Sequence, residues 1–370
     1  MKVAIIRGAF LNHFECQNYE PLNSSFCQIT FIGSKKPIHT NFHSSLIKLL
    51  SPIDLPNLPF KKAIFNRINN NLHYLLDLEK NLQGFDIAHC AETYYAYTRQ
   101  AINAKKQGLI KKVISTCWEI IPHNNESLSS FIQTKNEAKK YIDHFICPTI
   151  LAKKALEKEG FNPNKISVIP FGIDLNHFSP SQNTKYQEPR ILCVARLEKE
   201  KGIDTLLLAI SKLSPQFSQI KLRVVGEGTL LKNLQNLAKK LKISHQVDFF
   251  GFDSYENMPE HYRWANIFCL PSRPTGKIAE QFGMVFLEAL ASGLPIVTTK
   301  VGAISEVLKS RGTLVEPDNP ESLAKALKKT WLSLQKKPKI MKKQRKTAEK
   351  YYNKDKTAQK IYSIYKKVLS

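Results

Sequence analysis

The chain has 370 residues, of which 42% are hydrophobic and 23% charged, and a formal net charge of +24 at pH 7. That length exceeds what one hydrophobic core usually serves, so two domains are expected. No apolar run approaches the ~18 residues of a membrane span, and the seven cysteines are scattered singly, without the C-x-x-C spacing of a metal site or the even count of a disulfide framework.

From the N-terminus, MKVAIIRGAF is too short in its apolar stretch to be a secretory leader and reads as a first strand. With singly placed thiols this fits a reducing cytoplasm. Strand-like runs follow at 28–33, 86–90, 112–116, 144–148 and 166–170, alternating with amphipathic helical stretches such as the one from Lys61 to Gln83. The stretch from Pro170 to Glu188, rich in Pro, Asn, Ser and Asp, reads as a connection. A second series of strands is expected at 190–196, 221–226, 247–252, 266–271, 295–300 and 313–317, each followed by a helix-like segment. Such alternation specifies parallel α/β sheets, which bind ligands at the carboxyl ends of their strands.

The segment EQFGMVFLEALASGLPIVTT, from Glu280, carries the strongest chemical signal. A helix starting near Met284 is apolar almost all round and stops at Gly293. Glu288 is then a carboxylate on a helix that asks to be buried, and such a group needs a polar partner, from a neighbouring loop or from a ligand. Glu280 precedes the same helix, whose first amides face an anion favourably. Arg196 comes directly after a strand, and Lys201-Gly202 opens the next helix. Taken singly these two read as surface charges beside Lys199 and Glu200; beside the Glu pair they read as fixed cations able to stabilise a leaving diphosphate.

Two Glu eight positions apart, followed by an apolar helix and G-x-P-I-V, resemble the signature of the retaining glycosyltransferases of family four. The resemblance implies the GT-B fold: α/β, two Rossmann-like domains facing a central cleft. It implies a first, acceptor-binding domain over 1–170, a second, nucleotide-sugar-binding domain over 171–344, and a C-terminal helix over about 345–370 packing back on the first. It assigns Glu280 to the transferring sugar and Glu288 to the ribose. Phe282, Gly283, Met284 and Val285 are assigned to the sugar and diphosphate, and Arg196 and Lys201 to the diphosphate. VIPFGID and VVGEGTLLKNL resemble further family segments and add Gly172 and Gly226 to the donor site, while VGAISEVL adds Glu306. The resemblance covers the second half of the chain. In the first half the family's His-Asp pair is replaced by Trp118-Glu119, so Glu119, His123 and, after the first strand, His13 and Glu15 are the candidates for sugar or acceptor contact.

The expected activity is metal-independent, retaining transfer of a hexosyl unit from a UDP- or GDP-linked sugar to a lipid, glycan or small-molecule acceptor. No cofactor and no metal are expected, because the chain has no D-x-D sequence and the cations can neutralise the diphosphate. One alternative is a nucleotide-sugar epimerase on the same fold. Another, of a different class, is a basic protein that binds nucleic acid or membrane without transferase activity. Residues 325–370 hold sixteen Lys or Arg against Glu349 and Asp355. That excess is expected to favour a lipid-linked or anionic acceptor and peripheral association with the anionic inner membrane face. It also fits a solvated helix face. No nucleic-acid partner is expected, since zinc-finger spacing and aromatic RNP-like motifs are absent.

Overall fold

The computed structural model describes residues 1–56, 72–181, 187–276, 278–336 and 339–370. Of the helix expected over 61–83, residues 61–71 lie outside them, and in the remainder only Leu78–Asn81 is helical. The chain divides into two units, Met1–Gly172 with Lys354–Ser370, and Ile173–Asn353. The return to the first unit therefore lies at 353/354 rather than near 345. The helix Lys339–Tyr351 belongs to the second unit, where Arg345 donates to the carbonyls of Leu175, Phe178 and Ala291.

In the first unit seven described strands form one parallel sheet in the order β3-β2-β1-β4-β5-β6-β7. They are β1 (Lys2–Gly8), β2 (Gln28–Ser34), β3 (Ser45–Leu49), β4 (Ile87–Ala91), β5 (Lys112–Thr116), β6 (His144–Cys147) and β7 (Ile166–Val168). The central strands are buried on both faces, which is why β1 and β4 read as continuous apolar runs. The sequence reading missed β3, an edge strand with only partial burial, whose SLIKL has none of the apolar density of its neighbours. The C-terminal helix Lys354–Leu369 packs Ala358, Ile361 and Tyr365 into the cluster of Val3, Ile5 and Phe31.

Arg7, at the end of β1, is wholly buried. A buried charge survives only with partners, and here they are Glu15 at 2.7 Å, the Tyr19 hydroxyl at 2.8 Å, and the carbonyls of Ile6 and His89. His89 continues the network to Thr116 at 2.8 Å and to the Tyr365 hydroxyl at 2.6 Å, tying the C-terminal helix to the sheet.

The second unit repeats the plan with six described strands in the order β10-β9-β8-β11-β12-β13. These are β8 (Arg190–Val194), β9 (Lys221–Val225), β10 (Val247–Gly251), β11 (Ile267–Leu270), β12 (Ile296–Thr299) and β13 (Gly312–Val315). The apolar helix Met284–Ala291 lies between β11 and β12 in the chain and is buried from Phe286 onward, as its all-round hydrophobicity requires. All seven cysteines are free and buried. Among the described residues no helix is long and apolar enough to cross a membrane.

Candidate active site

The loops after β8, β9 and β11 are stitched together by backbone and side-chain bonds. Leu197 N–H donates to the Glu227 carbonyl at 2.8 Å, and the Glu198 carboxylate accepts the Thr229 amide at 3.0 Å and its hydroxyl at 2.8 Å. Those bonds from Thr229 hold the Glu198 carboxyl below its usual range. The turn Lys199–Lys201 then delivers Lys201 to the carboxyl edge of the sheet. It can do so because Gly202 adopts φ +64° and leaves room for the Pro271 carbonyl, which a Cβ would meet at 2.1 Å.

There Lys201 Nζ lies 2.9 Å from Glu280 Oε2, and the Ser272 hydroxyl donates to the same oxygen at 3.2 Å. The Glu280 backbone is fixed by Ala303 N–H, which donates to its carbonyl at 2.8 Å. Gly302, at φ +53°, passes so close that a Cβ would lie 2.2 Å from that carbonyl. Lys201, Ser272 and Glu280 thus converge from three loops. Ser272, which follows β11, carried no signal in the sequence because its role depends on this convergence.

Arg196 is not part of that cluster. Its side chain is 69% exposed and pairs with Glu200 at 2.7 Å, four residues along the same loop. Glu288 is buried on the Met284–Ala291 helix, and its Oε2 accepts the Tyr262 hydroxyl at 2.6 Å. Burial raises its carboxyl to about 7, against the opposing effect of the Tyr262 bond. Phe282 is buried against Tyr352, while Gly283, Met284 and Val285 are half-buried at the helix start, with Gly283 left-handed at φ +77°. Two candidate glycines have their amides engaged: Gly226 donates to the Gly251 carbonyl at 2.7 Å, and Gly172, in the first unit, to Asn18 Oδ1 at 2.6 Å. They can offer close approach of backbone, but not an amide donor.

In the first unit Glu119 is occupied in folding its own loop. One carboxylate oxygen accepts the amides of Ile120 and Ile121, both at 2.9 Å, and the other accepts from Asn124 and Asn125. His123 is left-handed at φ +61°, half exposed, and 2.9 Å from Glu126. His13 packs tilted against His39 and Phe42, with ring centroids 4.7 and 4.8 Å away, and Glu15 is paired with Arg7.

Two features here escaped the sequence reading. Glu92, directly after β4, is fully buried; burial lifts its carboxyl to about 8 although it accepts the amides of Trp118 at 2.9 Å and Glu119 at 3.2 Å. Phe10, in the loop after β1, stands partly exposed over His73 and Tyr95, at 5.0 and 6.0 Å. Burial lowers the His73 imidazole to about 4. An aromatic face at the carboxyl ends of strands suits the apolar face of a sugar or lipid.

A family model described as Glycosyl transferases group 1 matches residues 176–348, and one described as Glycosyltransferase Family 4 matches 35–177. An uncharacterized glycosyltransferase, MJ1607, of Methanocaldococcus jannaschii is 30% identical over 93% of this chain and 90% of its own length. The GDP-mannose-dependent alpha-(1-6)-phosphatidylinositol monomannoside mannosyltransferase of Mycolicibacterium smegmatis is 30% identical over 43% of this chain, a match spanning 45% of that protein. Among solved structures, Anabaena Alr3699/HepE in complex with UDP superposes with a TM-score of 0.78 at 16% identity, covering 99% of both chains. WaaG, a glycosyltransferase involved in lipopolysaccharide biosynthesis, gives 0.71 at 16% identity, over 96% of this chain and 98% of its own.

Proposed function

The chain belongs to the group 1 glycosyltransferases and is a GT-B enzyme that uses a nucleotide sugar, and on that premise we propose that it transfers a hexosyl unit, with retention and without a metal ion, from a UDP- or GDP-linked donor. The observation that carries this reading is the meeting of Lys201, Ser272 and Glu280 at the carboxyl edge of the second sheet. As the glycosidic bond breaks, negative charge grows on the diphosphate; Lys201, preset at the sheet edge, stabilises it. Arg196, exposed beside Glu200, turns inward to the same phosphates. Glu280 orients the sugar, and Ser272 holds Glu280. Glu288 accepts hydrogen bonds from the ribose hydroxyls while the Tyr262 hydroxyl donates to its Oε2.

The first unit supplies the acceptor contacts, with Phe10, His73 and Tyr95 as a stacking surface; Glu119 keeps its loop in shape and does not touch the sugar. The acceptor we propose is lipid-linked. The M. smegmatis relative, by name, acts on a phosphatidylinositol mannoside, and the excess of Lys and Arg in 325–370 favours an anionic surface. Proton NMR of the product formed from GDP-mannose or UDP-glucose in the presence of EDTA tests the reaction. An α-linked product supports retention without metal; a β-linked product, or a strict requirement for added Mg²⁺ or Mn²⁺, overturns it.

A further inference from the structure

A second hollow lies at the other end of the same sheet. It is a cavity of about 320 Å³ at the amino ends of β12 and β13, where Ile296 and Gly312 begin those strands, and it is bounded by the helices Pro320–Lys336 and Lys339–Tyr351. Because all these strands are parallel, the Lys201–Glu280 loops lie at the opposite edge, so this is not the donor site. Three cations line it, Arg311, Lys329 and Lys343, and no carboxylate does. Among the described residues none of the three forms an ion pair. A shallower hollow of about 300 Å³ shares Lys329 and Ser333 with it and adds Lys325, Lys328 and Lys336, again without an acid.

The wall also contains hydroxyls, Thr313, Thr330 and Ser333, and one unsatisfied acceptor. Gln344 is 5% exposed. Its amide nitrogen donates to the Arg311 carbonyl at 2.8 Å, while its buried Oε1 receives no hydrogen bond. Buried acceptors in native proteins nearly always have a donor. Like charges gathered without counter-ions suit an anion, and the acceptor beside them, which has no protein donor, suits a hydroxyl.

We infer that this cavity binds a phosphate ester of a polyol or sugar, with the phosphate against Arg311, Lys329 and Lys343 and a ligand hydroxyl donating to Gln344 Oε1. The volume suits one small ligand. Either a soluble sugar phosphate or the phosphorylated polyol headgroup of a lipid presents this chemistry.

The test is isothermal titration of the full chain with glucose 6-phosphate, inorganic phosphate and glucose, paired with flotation on phosphatidylinositol-containing and pure phosphatidylcholine vesicles. Expected is binding of glucose 6-phosphate in preference to inorganic phosphate, weakened about tenfold or more by the double substitution Lys329→Gln/Lys343→Gln. Both lysines are surface groups, and an unchanged melting temperature shows that the variant folds. Gln344→Leu should erase the preference for the hydroxylated ester, and Lys201→Ala should leave binding intact. If the soluble esters do not bind but phosphatidylinositol vesicles float the chain in a Lys329- and Lys343-dependent way, the ligand is the headgroup. The proposal is overturned if no probe binds, if binding ignores Lys329→Gln/Lys343→Gln, or if Lys201→Ala removes it.

Discussion

Lys201 Nζ and Glu280 Oε2 stand 2.9 Å apart, so the two groups assigned to neighbouring parts of the donor, its diphosphate and its sugar, are partners of each other. Both side chains are mostly buried, so the pair is not an ordinary surface bridge. Removing either partner strands the other. Lys201→Ala is expected to lower kcat by about 10²–10³-fold, as for loss of one preset electrostatic contact in a transition state. Adding Glu280→Gln to it should cost less than the two single losses multiplied, since the groups act as a unit. Steady-state kinetics of the four-member cycle checks this; a Lys201→Ala variant with unchanged kcat contradicts the assignment.

Glu288 predicts a pH dependence of donor binding. Its carboxyl is raised to about 7 by burial. Only the ionised form accepts hydrogen bonds at both oxygens, from Tyr262 and from a ribose. Donor affinity should therefore fall as pH drops from 8 to 6, and Glu288→Gln should show weak, pH-independent binding across that range. Titrations with the nucleoside diphosphate at several pH values decide it; an unchanged slope in Glu288→Gln would remove Glu288 from the donor site.

Gly302 should be sensitive in a way that reaches the chemistry. A Cβ there would lie 2.2 Å from the Glu280 carbonyl, and φ is +53°. Gly302→Ala is expected to destabilise the chain by about 2 kcal/mol or more, and to lower kcat further than that loss explains because Glu280 is displaced. Urea unfolding together with kinetics on the folded fraction separates the two effects.

Glu92 bears on stability rather than catalysis. Its folded-state carboxyl lies near 8 against an ordinary 4.5, so between those values the folded chain holds a proton that the unfolded chain has released. Stability contributed by the protonated group is then full below about 4.5 and declines as pH rises toward 8. Glu92→Gln keeps an acceptor for the Trp118 and Glu119 amides without the charge, and should raise stability at pH 8 by roughly 3 kcal/mol while flattening the decline. Denaturation midpoints at pH 5 and pH 8 give the answer; an equal pH dependence in both proteins would show that Glu92 stays ionised.

Much of this site was legible in the sequence because it rests on local patterns. The apolar helix after Glu280 and its glycine stop could be placed from residue order alone, and so could the position of Arg196 and Lys201 after a strand. What could not be read is which groups meet. Ser272 acquires its role only where the loop after β11 passes Glu280, and Arg196 was paired with Lys201 by analogy while the chain turns it toward Glu200. In the first half, Glu119 looked available because nothing in TCWEIIPHNN shows that its carboxylate closes the loop on Asn124 and Asn125. Glu92 carried no pattern at all: a buried carboxylate in HCAETYYAY is recognised only once β4 and β5 are side by side. The edge strand β3 was missed for a similar reason, since its pairing to β2, and not its composition, makes it a strand.

We propose that protein cations, Lys201 foremost, and not a metal ion, hold the donor diphosphate at the Lys201–Glu280 edge. Isothermal titration of the full chain with UDP and with GDP, in EDTA, measures it directly when repeated on Lys201→Ala. One of the two is expected to bind the native chain in EDTA, with an affinity that falls about tenfold in the variant. Binding that appears only when Mg²⁺ or Mn²⁺ replaces EDTA, or that is the same with and without Lys201, would contradict it.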